Sequence, residues 1–297
     1  MSRTLKAHLL LVMVTLIWGA TFVVIKEAIK DISPMLFNAV RMTLATACLL
    51  VIYWRKVMQI DLKVFIAGVQ VGIFLWLGYE FQTKGLISTT PSRSGFITGV
   101  SVVLVPLLMA LFWKRKVRAW TAAGVVCAFI GMYFMMVPAG GDTFSSINYG
   151  DVLTFGCAIS FALQIIFCGE ATRHHPFELI SFLQTATAMV LMWISVPSLE
   201  HPHVTWTKGV IAGILITGVL GTAVAFTVQA WAQQFTPSTH TALIFSLEPV
   251  CAWITSAVVL HERLGMRGGA GAALILTGVL VSELLGASQP VAVAESA

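Results

Sequence analysis

Charge is what this sequence lacks. Only 10% of its 297 residues are Asp, Glu, Lys or Arg, against about 25% in soluble domains. A chain so poor in charge cannot cover a surface that faces water, and 58% of its residues are hydrophobic. Its mean hydropathy is +0.89. Apolar runs of about 20 residues, the length needed to cross a bilayer, alternate with short polar loops throughout. Composition therefore excludes a soluble domain and implies a polytopic membrane protein whose surroundings are lipid. The net charge of +5 is a property of loops, because the basic residues are scattered except in Lys114-Arg115-Lys116-Val117-Arg118. No nucleic-acid partner is expected.

Other absences narrow the chemistry. The five cysteines, Cys48, Cys127, Cys157, Cys168 and Cys251, all fall in apolar runs and form no CxxC pair. They read as small buried hydrophobes rather than ligands or disulfides. There is no HExxH pair and no GxSxG serine, and His174, His175, His201 and His203 lie beside helix ends with nothing to complete a metal site. No catalytic residue, metal or cofactor is expected, and an intramembrane enzyme is the disfavoured class. No nucleotide-binding fold is present, so ATP is not the energy source in this chain. The period-2 alternation of a barrel is missing too, which leaves helices. Arg3 and Lys6 precede an apolar run, as in a signal peptide, but Leu9 to Ile25 is long for one and no small-x-small cleavage site follows. It reads as an uncleaved first helix.

The expected fold is all-α, with ten transmembrane helices at about 7–26, 34–54, 62–83, 92–113, 118–138, 149–170, 177–196, 208–234, 238–260 and 266–285. They form one transmembrane domain, 1–297, in two halves. Repeat one covers about 1–138, a Gly/Ser/Asp-rich linker about 139–148, repeat two about 149–285, and a short tail 286–297. Thr90-Pro91-Ser92 recurs 146 residues on as Thr236-Pro237-Ser238. With one residue of slippage, Gly124 matches Gly271 and Gly131 matches Gly278. Earlier in each half, Trp18-Gly19 echoes Phe155-Gly156 and Pro34 echoes Pro176. Five spans per half is an odd number, so the second half enters the membrane inverted, the arrangement of many secondary transporters. The Lys/Arg bias, concentrated at Lys114 to Arg118, places both termini in the cytoplasm.

These residues resemble the EamA-type transporters of the drug/metabolite transporter superfamily. The likeness covers nearly the whole chain. Trp18-Gly19 with Phe22 resembles the family's first-helix signature, and Pro34, Phe37 and Arg41 its second-helix motif. Ser246-Leu247-Glu248-Pro249, followed by His261-Glu262-Arg263-Leu264, is similar to its ninth-helix motif and the charged turn after it; the first half reads Lys114-Arg115-Lys116 there, without the acid. The resemblance implies an exporter in the bacterial inner membrane, working by alternating access. Its solute would be an amino acid or similar metabolite, as for aromatic amino-acid exporters of the YddG type. A multidrug exporter, or one for nucleosides or sugar-like metabolites, is the alternative. The superfamily's small multidrug exporters carry a Glu in helix one, and none lies between Ala7 and Ile25 here. A neutral or zwitterionic solute fits better.

Polar groups inside spans are costly and tend to face a cavity or another helix. Trp18, Trp76, Tyr79, Gln82, Thr98, Ser101, Ser160, Gln164, Gln229 and Phe245 set amide and hydroxyl groups among aromatic rings. That suits a small amphipathic, amino-acid-like solute. Interhelical hydrogen bonding is the plainer reading of the same groups. Arg41 and Glu248 are the two charges deepest in spans; Glu248 either binds a coupled proton or pairs with Arg41 to hold two helices together. Pro106 and Pro249 are expected to kink the fourth and ninth spans as paired gates. Gly68/Gly72, Gly95/Gly99 and Gly268/Gly271/Gly278 read as helix-packing seams. The protein is expected to work as a monomer.

Overall fold

The computed structural model describes residues 2–89, 91–137, 147–259 and 265–285. Outside them lie Thr90, most of the expected linker, the turn at His261-Glu262-Arg263-Leu264 and the tail 286–297. Among the described residues the chain is helical, with no strand and a single isolated bridge, Ile32 to Val204. The helices are α1 (Arg3–Ala28), α2 (Pro34–Val57), α3 (Leu62–Leu86), α4 (Pro91–Gly99), α5 (Ser101–Phe112), α6 (Ala119–Met136), α7 (Tyr149–His174) and α8 (Phe177–Leu199). Then follow α9 (Lys208–Leu215), a π-helical stretch Ile216–Val224, α10 (Ala225–Ala232), α11 (Ser238–Phe245), α12 (Glu248–Val259) and α13 (Met266–Leu285). Among the described residues, eight stretches are long and apolar enough to cross a membrane, and Met266–Ser282 is a shorter apolar helix. Large hydrophobics point outward on them, among them Val51, Leu107, Leu111, Ile194 and Leu284. Lipid, not water, is the medium such a surface satisfies.

Helix starts are written in local chemistry. Asp61 accepts from the Val64 amide at 2.8 Å, Asn148 and Asp151 form a reciprocal capping box, and Thr207 accepts from Val210. Each satisfies an amide that a helix leaves bare in its first turn. The cap of α2 is long-range. Pro34 opens that helix, and the Met35 and Leu36 amides donate to the Glu200 carboxylate, from just beyond α8, at 3.3 and 2.8 Å. At the other end, Arg3 and Lys6 lie over the Phe235 and Trp231 rings, which ties the start of α1 to the turn between α10 and α11.

Three of the expected spans are interrupted rather than simply kinked. The fourth breaks at Val100, between α4 and α5, and the ninth at Ser246-Leu247, between α11 and α12. Positions 100 and 246 each fall ten residues after the Thr of a Thr-Pro-Ser, so the repeated sequence carries a repeated break. Pro249 explains the second: it has no N–H for the Phe245 carbonyl four residues back, and Phe245 is where α11 ends. As the second residue of α12 it occupies a position where that N–H would be unused. Pro106 sits instead inside α5, six residues beyond its break. The eighth expected span contains the π-helical stretch, where the Thr222 hydroxyl donates to the Thr217 carbonyl five residues back.

Glycines bring backbones together where lipid supplies no hydrophobic force between helices. The closest seam joins α6 to α13. A Cβ on Gly124 would stand 2.5 Å from the Gly278 carbonyl oxygen, and one on Gly278 2.5 Å from that of Gly124. Gly131 and Gly271 do the same to each other, at 2.6 and 2.5 Å. Gly68 and Gly72 of α3 press on Leu183, Gln184 and Thr187 of α8, while Gly95 and Gly99 of α4 press on Met136 and Met132 of α6. On α1, Gly19 meets Cys251 and Ala252 of α12 at under 3 Å. That contact sets the first helix directly against the broken one.

Candidate functional site

Residues from six helices converge beside the broken α11–α12 segment. Trp18 of α1 packs edge-on against Phe245, the last residue of α11, with ring centres 4.9 Å apart, and lies 5.7 Å from Phe226 of α10. Its indole N–H donates to the Gly221 carbonyl at 2.8 Å, inside the π-helical stretch. Trp76 and Tyr79 of α3 join Trp18 and Phe161 of α7 around a core of Leu75, Met42, Met192 and Phe226. Tyr79 stands perpendicular to Phe161, 5.6 Å away.

Arg41 is buried in this aromatic setting, with its guanidinium carbon 4.5 Å from the centre of the Tyr79 ring. The expected pair with Glu248 does not form: among the described residues no carboxylate reaches Arg41, and its Nε–H meets no acceptor. Glu248 begins α12, where an acid is favoured by the helix dipole. It is partly buried, and Tyr79 lies within electrostatic reach of both it and Arg41. Two opposite charges thus border one aromatic group without neutralising each other.

One turn from Phe161 and Phe226 lies a chain of four buried glutamines. Gln164 of α7 donates to Gln184 of α8 at 2.9 Å. Gln229 of α10 donates to both Gln164 (3.1 Å) and Gln233 (3.2 Å), and Gln233 to the Ile165 carbonyl (2.8 Å). The chain ties α7, α8 and α10 together and leaves Gln184 Nε2 and Gln229 Oε1 without partners.

The remaining expected residues divide. Thr98 reaches the Cys157 sulfur at 3.7 Å, and Ser101 is half-buried at the start of α5, beside the first break. Ser160 turns to its own helix, donating to the Gly156 carbonyl at 2.8 Å. Gln82 is half-buried on α3, while Thr83 next to it accepts from Asn38 of α2. Several neighbours went unread in the sequence: Phe161, Phe226, Gln184 and the buried acid Glu80, while Gln233 shares a polar helix face with Gln229. Spacing offered a signal for Phe161 and Phe226, each one turn from an expected glutamine; Gln184 is the lone glutamine of α8 and offered none. Nothing in the spacing singled out Glu80.

A bundle of apolar spanning helices, two of them broken and one of the breaks bordered by buried charge and aromatic rings, is the architecture of a multi-pass membrane transporter. Such breaks put helix ends at a solute site. The chain belongs to the EamA-like transporter family, which matches it twice, over residues 5–137 and 148–284. Members of that family are transporters, not enzymes. The chain is 36% identical over 287 residues to an uncharacterized transporter of Archaeoglobus fulgidus, covering 95% of this chain and 87% of that protein. It is 24% identical to the uncharacterized transporter YoaV of Bacillus subtilis, over 93% of this chain and 96% of that one. It is 25% identical to the threonine/homoserine exporter RhtA of Escherichia coli, over 76% and 74%. A crystal structure at 18% identity shares the fold, with a TM-score of 0.79 over 94% of this chain and 97% of that chain.

Proposed function

We propose that this protein exports small zwitterionic metabolites, amino acids foremost, across the bacterial inner membrane by alternating access. The observation that carries the reading is Arg41, a buried guanidinium resting on Tyr79 with no acid paired to it among the described residues. A charge left that way is expensive, and a solute carboxylate is the group that resolves it, since arginine's planar fork matches a carboxylate in two hydrogen bonds. Glu248 would take the ammonium end, and Trp18, Tyr79 and Phe245 would contact the side chain. RhtA, a threonine/homoserine exporter by name, supports an amino-acid cargo.

The alternation would come from two inverted five-helix halves. The double family match, the breaks at equivalent positions and the α6–α13 seam all favour it. In that seam, each glycine meets the partner that a two-fold axis in the membrane plane would assign. The Lys/Arg bias supports cytoplasmic termini, and the protein would work as a monomer. Counterflow of labelled amino acids into liposomes holding the purified protein tests the reading, with aromatic, aliphatic and hydroxylated amino acids and a quaternary cation as competitors. Saturable amino-acid exchange is expected; exchange of the cation alone would overturn it.

A further inference from the structure

Glu80 lies apart from the charges assigned above. It stands on α3 six residues before the helix ends at Leu86, about 9 Å along the axis at 1.5 Å per residue. The side chain is buried, with 7% of the residue exposed. Its Oε1 accepts from Trp76 Nε1 at 3.2 Å and from the Ser195 hydroxyl of α8 at 2.5 Å. Its Oε2 is enclosed and meets no partner. The charged groups facing it are Lys84, one turn on along α3, and Glu200, which is occupied with the first amides of α2. Neither basic nor acidic residue forms an ion pair with it among the described residues.

We propose that Glu80 is the proton-binding carboxylate that couples this transporter's solute movement to a proton gradient. An ionised carboxylate with one oxygen enclosed and bare bears most of its desolvation cost uncompensated. A proton on Oε2 removes the charge and leaves Oε1 free to keep both donors. The resting form is therefore the acid. When α3 and α8 part at this end and admit water, the O–H bond breaks, the proton passes to water and the electron pair stays on oxygen. In the opposite access state a proton from the other side binds the carboxylate again, so one proton crosses for each alternation. In the interval the charge left on Glu80 strengthens the bond from Trp76, whose indole also belongs to the aromatic wall shared with Trp18 and Tyr79. The proton's presence is felt at the solute site through one hydrogen bond.

The proposal rests on the exporter reading, and three measurements keep the two apart. In liposomes, counterflow at equal pH reports solute exchange alone, and uptake against an imposed pH gradient reports coupling. Glu80→Gln is expected to keep counterflow and lose gradient-driven accumulation. Ser195→Ala, which removes a donor to the ionised form, is expected to keep counterflow and to move the pH profile of driven uptake upward by about one unit. Infrared titration of the solute-free protein should contain a protonated-carboxyl band that Glu80→Gln abolishes. Driven accumulation that survives intact in Glu80→Gln would overturn the proposal, as would an unmoved profile in Ser195→Ala if the glutamine variant does not fold. Should no amino acid exchange at all, the cargo reading falls, and the infrared band decides Glu80 by itself.

Discussion

Replacing Arg41 with methionine separates two roles that usually travel together. A guanidinium that holds helices destabilises the protein when removed; one kept for a solute does not. Arg41→Met removes the contact with Tyr79, about 0.5–2 kcal/mol. It also removes the burial of an unpaired ion, whose penalty is several kcal/mol. Methionine fills much of the same volume, so stability should hold or rise, by about 1–4 kcal/mol on the precedent of buried ions replaced by apolar side chains. Solute binding moves the other way. Two charge-assisted hydrogen bonds to a carboxylate, at about 1.5–3 kcal/mol each, correspond to roughly a hundredfold to ten-thousandfold in affinity. Thermal unfolding in detergent and the half-saturation concentration for counterflow are the paired assays. The expected result is an unchanged or higher melting temperature beside half-saturation raised at least about a hundredfold. Arg41→Lys should fall between, since a point charge lacks the fork. A variant that melts many degrees lower, or one whose half-saturation stays where it was, would refute the reasoning.

Further expectations follow from the packing. Gly131→Val sets a Cβ 2.6 Å from the Gly271 carbonyl, so α6 and α13 must separate; a loss of about 1–3 kcal/mol or more is expected in thermal unfolding. Gln164→Leu deletes the middle of the glutamine chain, strands the Gln184 oxygen and takes from the Gln229 amide one of its two acceptors, with about 1–3 kcal/mol lost for the stranded oxygen; a melting temperature that does not fall would show the chain to be dispensable. Glu200→Ala uncovers the first amides of α2 at a cost of about 1 kcal/mol, and amide exchange at Met35 and Leu36 should quicken while the middle of α2 stays protected.

What could be read in advance was what repeats or stays local. Apolar runs gave the helices because lipid leaves each backbone group no partner outside its own segment. The repeated Thr-Pro-Ser marked equivalent points in the two halves, and Pro249 marked the break in the ninth span; Pro106 misled, since the fourth span breaks six residues before it. The glycine seams were visible as small residues at helical spacing. The remainder depends on which helices end up side by side. Arg41 was expected on Glu248, similar in depth, but lies on Tyr79, because depth along an axis says nothing of rotation about it. Glu80 carries no mark in the sequence, and its hydrogen bond from Ser195 exists only once α3 and α8 lie side by side. Four glutamines on three helices become one chain only after those helices pack. The π-helical stretch left no trace beyond two glycines, Gly218 and Gly221, in an otherwise ordinary apolar run.

The glycine contacts between α6 and α13 also constrain how the chain can change over generations. Gly124 and Gly278 occupy the same gap from opposite sides, as do Gly131 and Gly271. A methyl added to either member of a pair forces the helices apart, and once they are apart a second methyl on the other member has room that it lacked. The two changes should therefore be strongly non-additive, the second costing less than the first. At these four positions the halves of the chain share one mutational history: a residue in one half is tolerated or rejected according to what stands in the other.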